Sequence, residues 1–100
     1  MTRVFVVHDT GQYNFAKAAQ FGDLVVCAVG KVNVHSPDTI RLAIRNALSG
    51  FKEADFLLLV GTVVQVFFAG LCLPSNLSKA QLLLWDVKRM EYFVRVIDLP

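Results

Sequence analysis

His8-Asp9 is where this 100-residue chain sets a possible general base directly beside an acid. A histidine can exchange a proton near neutral pH, and a carboxylate can orient its ring. Adjacent residues on a strand point to opposite faces, however, so the pair reads as loop polarity rather than a dyad. No serine or cysteine nucleophile is obviously set beside it, and His35 stands alone in a later loop. Gly61-Thr62 opens a helix and could hold a phosphate on free backbone amides, although a plain threonine N-cap is the simpler reading. Together with Thr10 and Lys31, these residues (His8, Asp9, Gly61, Thr62) are the ligand-binding candidates, because they fall at the carboxyl ends of predicted strands, where α/β sheets gather ligands.

Other chemistry-bearing types converge less. Cys27 and Cys72 sit inside apolar runs with neither a Cys-x-x-Cys pair nor metal-ligand spacing, so they read as reduced, buried thiols and no metal or cofactor is expected. Arg41 and Arg45, one helical turn apart, could with Lys52 grip phosphates or an acidic partner, or could simply be a solvated face. A formal charge of +2 spread over ten basic residues argues against nucleic acid as the main partner. No nucleophile, metal cluster or glycine-rich phosphate loop converges, so no catalytic residue is assigned and no enzymatic activity is expected.

The elements that would position these residues are organised around the stretch from Asp55 to Leu73. Phe56 to Val60 is a continuous apolar run suited to a central parallel strand covered on both faces. Gly61 turns the backbone, Thr62 caps, and from Val63 onward Gln65 alone marks a wet side of a helix that looks covered nearly all round. The stretch also approaches the length of a membrane span, but it is at the short end, has a natural strand-to-helix junction, and lacks flanking basic clusters.

Ahead of it, Val4 to His8 reads as the first strand, Asn14 as the cap of a short helix from Phe15 to Gln20, and Leu24 to Val29 as a second buried strand. Ser36-Pro37-Asp38 starts a helix to about Ser49, whose apolar stripe is Ile40, Ala43, Ile44, Ala47 and Leu48. Gly50 closes it and Phe51 folds back onto that stripe. After Leu73, Gln81 to Trp85 and Glu91 to Leu99 form strands closed by a tight turn around Asp86-Val87-Lys88-Arg89, and therefore antiparallel. The order predicts a single small three-layer α/β domain over residues 1–100, a mainly parallel sheet with a C-terminal antiparallel hairpin of Rossmann-like or flavodoxin-like type. The short first connection leaves the pairing of the first two strands open.

Asp55-Phe56-Leu57-Leu58-Leu59-Val60-Gly61, the apolar helix, Leu82-Leu83-Leu84-Trp85-Asp86 and the Phe21-Gly22-Asp23-Leu24-Val25 step together resemble a group of small bacteriophage-encoded α/β proteins over most of the chain. Thr62-Val63 stand where that group often carries an acid and a proline. The resemblance implies a small phage accessory protein but no particular activity.

Hydrophobic residues make up 55% of the chain and charged ones 18%, against about 45–50% and 25% in ordinary domains. A chain this short has little with which to cover that surplus, so a homo-oligomer is expected, with Phe67, Phe68, Leu71, Phe93 and Trp85 as interface candidates. The preferred function is thus a homo-oligomeric binding or interaction module, with a host or phage protein as a further partner. A nucleotide- or phosphate-binding protein using the strand ends is the alternative, and a nucleic-acid binder the weaker one. The N-terminus lacks the pattern of a secretory leader, so the expected compartment is the cytoplasm, that of an infected bacterium on the phage resemblance.

Overall fold

A computed structural model of the chain describes residues 2–9, 11, 14–28 and 37–99. Five strands, β1 (Arg3–Val6), β2 (Asp23–Val26), β3 (Phe56–Leu58), β4 (Lys79–Asp86) and β5 (Glu91–Asp98), form one sheet in the order β2-β1-β3-β4-β5. Two helices accompany it, α1 (Pro37–Leu48) and α2 (Val63–Leu71). β1 pairs in parallel with both β2 and β3, and β3 in parallel with β4, while β4 and β5 close the antiparallel hairpin. The mixed α/β architecture is the one the sequence predicts, and the apolar run from Phe56 supplies the central strand. The first two strands, whose pairing the sequence leaves open, lie parallel.

Alternation along β1 divides the core. Phe5 and Val7 join Leu57, the α1 stripe Ile40, Ile44 and Leu48, and Ala69 of α2 in the larger cluster, so both helices cover the same face. Phe51 folds back as expected, 3% exposed, its ring 5.2 Å from that of Phe5. On the opposite face, Val4, Val6, Leu58 and Leu83 pack against Phe15 and Ala18. Each fully buried large side chain in these clusters contributes about 1.5–3 kcal/mol.

Three expectations are corrected. The short helix predicted from Phe15 to Gln20 is a 3-10 segment, Ala18–Phe21, entered through a turn in which Asn14 Oδ1 accepts from Ala16 N at 2.8 Å. Gly22 ends it where a Cβ would lie 2.6 Å from the Thr2 carbonyl oxygen, so only glycine lets the chain pass close enough for Asp23 N to donate to Thr2 O. A 3-10 turn is thin cover. The second strand, predicted to be buried, is the edge strand of the sheet and under that cover keeps Leu24 39% and Val26 38% exposed.

The third correction concerns α2, whose predicted wet side is inverted. Gln65 is fully buried, whereas Val63, Phe67 and Leu71 face outward. The cause is local: the Gln65 side chain turns back to the helix N-terminus, which places its position on the inner side and rotates the 63-67-71 stripe away. The hairpin turn forms as predicted, with Asp86 Oδ1 accepting from Lys88 N and Arg89 N. Among the described residues no helix is long and apolar enough to cross a membrane.

Candidate functional site

From β1 the chain runs outward to β2 and then returns past α1 to β3 on β1's other side, so the loops leaving β1 and β3 diverge at the middle of the sheet. In open α/β sheets this divergence opens a crevice at the carboxyl ends of the strands. The structure brings His8, Gly61 and Thr62 together there. His8 is 3% exposed, and a Cβ added at Gly61 would lie 3.0 Å from that of His8 and 2.7 Å from Gln65 Oε1. With φ at +139° and those neighbours, position 61 admits glycine alone.

Thr62 and Gln65 then close a capping box. Thr62 Oγ1 accepts from Gln65 N at 3.2 Å, and Gln65 Oε1 accepts from Thr62 N at 2.9 Å. Two of the amides that a bound phosphate would use are thereby satisfied internally, and the helix start works as an N-cap. Gln65 Nε2 is buried with no hydrogen-bond partner, a donor whose desolvation costs about 1–3 kcal/mol.

Asp9 sits in a different environment from its neighbour. Its Oδ1 accepts from Gly11 N at 2.8 Å, closing an Asx turn, while its own N donates to Ala28 O at 2.9 Å and ties the loops after β1 and β2 together. His8 is buried and Asp9 only half-buried, both beyond the end of β1. Thr10, Lys31 and His35, and the Ser36 cap predicted for α1, lie outside the described residues.

The basic candidates do not gather into one grip. Arg41 pairs with Asp38 on its own helix at 3.9 Å, both side chains in solvent, a contact worth at most about 1 kcal/mol. Arg45 is exposed, and Lys52 is held by its backbone, whose N donates to Asp55 Oδ2 at 2.8 Å.

Of the interface candidates, Phe67 and Leu71 are 63% and 64% exposed, in line with Val63 at one-turn intervals. Phe68 is half-buried against the larger core, its ring 5.9 Å from that of Phe67. Phe93 is half-buried under the Arg95 guanidinium. Trp85 meets the Tyr92 ring edge-on at 4.8 Å.

Trp85 also leads to a site that the sequence reading missed. Between the 14–17 turn that leads into the 3-10 segment and the β4–β5 hairpin lies a mainly apolar cleft of about 610 Å³ whose walls include Asn14, Lys17, Trp85, Met90 and Tyr92, with Leu58 to Val60 as its floor. The register Trp85 opposite Tyr92 is readable from the hairpin. The Lys17 ammonium donating to Met90 O at 2.6 Å joins residues 73 apart, and nothing local announces it. Burial raises the pKa of the Tyr92 hydroxyl, so it stays protonated at neutral pH. Elsewhere at the carboxyl ends, burial pushes the Cys27 thiol up to about 11. Among the described residues no group of His, Cys, Asp and Glu is placed to hold a metal ion.

These features define a small mixed α/β domain with both helices on one face of its sheet, a thin cover on the other, and open apolar surface at the carboxyl ends. The chain matches the family model of the phage Pam3 gp32-like protein over residues 2–99 and belongs to that family. The resemblance to small phage-encoded proteins is borne out. Neither curated proteins nor solved structures gave a match.

Proposed function

We propose that this phage protein is a homo-oligomeric interaction module of the infected host's cytoplasm, without catalysis, built on a reduced Rossmann-like sheet. The observation that carries the reading is the outward stripe Val63, Phe67 and Leu71 on α2, with exposures of 87%, 63% and 64%. Three large apolar side chains one turn apart on a single helix make a seam of the kind that pairs with another helix. Burying each is worth about 1.5–3 kcal/mol before association costs are deducted, enough in sum to hold a dimer. A host or phage protein presenting a similar stripe would use the same seam.

Sedimentation equilibrium at micromolar concentration tests this. The expected species has at least twice the chain mass of 11.1 kDa, and Phe67→Asp, at a position too exposed to matter much for folding, returns it to the monomer. A wild-type chain that sediments as a monomer would sink the proposal.

A second reading, a nucleotide- or phosphate-binding protein, is favoured by one feature. The strand order β2-β1-β3-β4 is that of flavodoxin-like sheets, whose ligand sits where the order reverses, here between His8 and Gly61. A thermal-shift series with nucleotides and inorganic phosphate decides it, since a ligand at about 100 times its dissociation constant stabilises by about 2.7 kcal/mol. Nucleic-acid binding through Arg41, Arg45 and Lys52 is the weakest proposal, and steep salt dependence of DNA binding would be its mark.

A further inference from the structure

The cleft between the 14–17 turn and the hairpin differs from the α2 stripe in being concave and in carrying one placed cation. Its volume of about 610 Å³ falls within the range of small-molecule sites, about 300–1,000 Å³. Trp85, 41% exposed, and Tyr92 meet edge-to-face and present aromatic surface to the space. Lys17 Nζ lies 5.9 Å from the centre of the Trp85 ring, held there by its bond to Met90 O. Met90 itself adopts a φ of +54°, the left-handed conformation of a turn residue.

The charge balance selects the ligand. Lys17 is the one charged residue among the described residues lining the cleft, and an ammonium has three donors, of which the Met90 carbonyl takes one. The remaining two suit a single carboxylate or sulfonate. They are too few for a polyphosphate, which needs several cations or a run of backbone amides. Apart from Asn14, whose Oδ1 already accepts from Ala16 N, the rest of the lining is apolar or aromatic and suits a flat ring system.

We propose that this cleft binds a small planar aromatic monoanion, with its ring against Trp85 and Tyr92 and its charge on the Lys17 ammonium. This site uses none of the residues of the strand-end phosphate reading and does not depend on self-association.

The chain has one tryptophan, so its indole N–H gives a single resonance that reports on the cleft directly. The full-length protein is titrated with 2-naphthoate and, separately, with the uncharged 2-naphthamide. The indole resonance is expected to shift saturably with both, with naphthoate binding about fivefold more tightly, the gain expected of one partly exposed ion pair. Lys17→Met, which keeps the apolar stem, should bring the two affinities together, and Lys17→Arg should keep them apart. The proposal is overturned if naphthoate leaves the indole resonance in place, if the amide binds wild type as tightly as the acid, or if Lys17→Met preserves the preference. A shift on raising protein concentration without ligand would also overturn it, since a second copy would then fill the cleft.

Discussion

The amino end of the sheet and the cleft at its carboxyl end use their polar residues in opposite ways. At the amino end, Asp55 is 1% exposed, and its oxygens accept from Arg3 N at 3.0 Å, Lys52 N at 2.8 Å and Arg3 Nη2 at 3.3 Å. Arg3 also reaches the Gly50 carbonyl, and Gln81 Nε2 donates to Ala54 O at 3.0 Å. These groups are committed to the chain's own backbone and lock the approach to β3 onto β1 and β4. At the carboxyl end, Trp85 and Met90 remain largely exposed and Lys17 keeps donors to spare. One end is a clamp and the other is a surface. The difference shows that a polar residue is best judged by how many of its bonding positions are already filled.

The largest effect should come from opening the clamp. Asp55→Ala leaves the amides of Arg3 and Lys52 without their acceptor and the Arg3 guanidinium without its counter-charge, a loss of about 3–5 kcal/mol. In a domain of this size that lowers Tm by at least about 12 °C. Asp55→Asn, which retains one acceptor oxygen, should fall between the two. A drop of less than about 4 °C for the alanine variant, measured by thermal denaturation, would show that the amino end is not held by this carboxylate.

That clamp was only half legible in the sequence. Asp55 reads as the polar approach to a strand, and nothing nearby says that its partner is Arg3, fifty-two residues earlier. Periodicity did reveal α1, whose buried residues recur at helical spacing, while an unbroken apolar run marked the central strand and a polar turn between two short strands marked the hairpin. It failed for α2, where seven of nine positions are large or β-branched apolars or the buried Gln65, so no polar stripe marks the outer side. The second strand failed for a related reason: the apolar run that starts at Leu24 looks the same at the centre of a sheet as at an edge, and it is the edge position under a thin 3-10 cover that exposes it. Of the candidate site, the meeting of His8 with Gly61 follows from placing β1 beside β3. The cleft does not, because it depends on where a lysine on one connection meets a hairpin turn.

A smaller effect sharpens the comparison inside α2. Thr62→Ala removes the hydroxyl that accepts from Gln65 N and should cost about 1 kcal/mol, or roughly 4–8 °C in Tm. Gln65→Met deletes the return bond to Thr62 N but also the unpartnered Nε2, while keeping the volume, so the two consequences offset each other. It should therefore be less damaging than Thr62→Ala. The reverse ranking would mean that the glutamine amide is satisfied and that this corner belongs with the clamp.

The least perturbing test asks how dry the carboxyl end is away from the cleft. Cys27 follows β2, donates its backbone N to Val6 O at 2.8 Å and packs against the larger core, where burial pushes its thiol from 9.0 up to about 11. The neutral thiol is the form the fold favours. Its contribution to stability is therefore complete below about pH 9 and is lost as pH climbs through about 11. Because the thiolate is the nucleophile, the same shift governs alkylation. In a Cys72→Ser variant, where Cys27 alone reacts, the rate with iodoacetamide should be low at neutral pH and still rising at about pH 10. Unfolded in urea, the same variant should approach its plateau near the ordinary thiol value, about one to two pH units earlier. If the folded and unfolded profiles coincide, water reaches Cys27 freely, and the apolar character inferred for this end of the sheet is confined to the cleft and the α2 stripe.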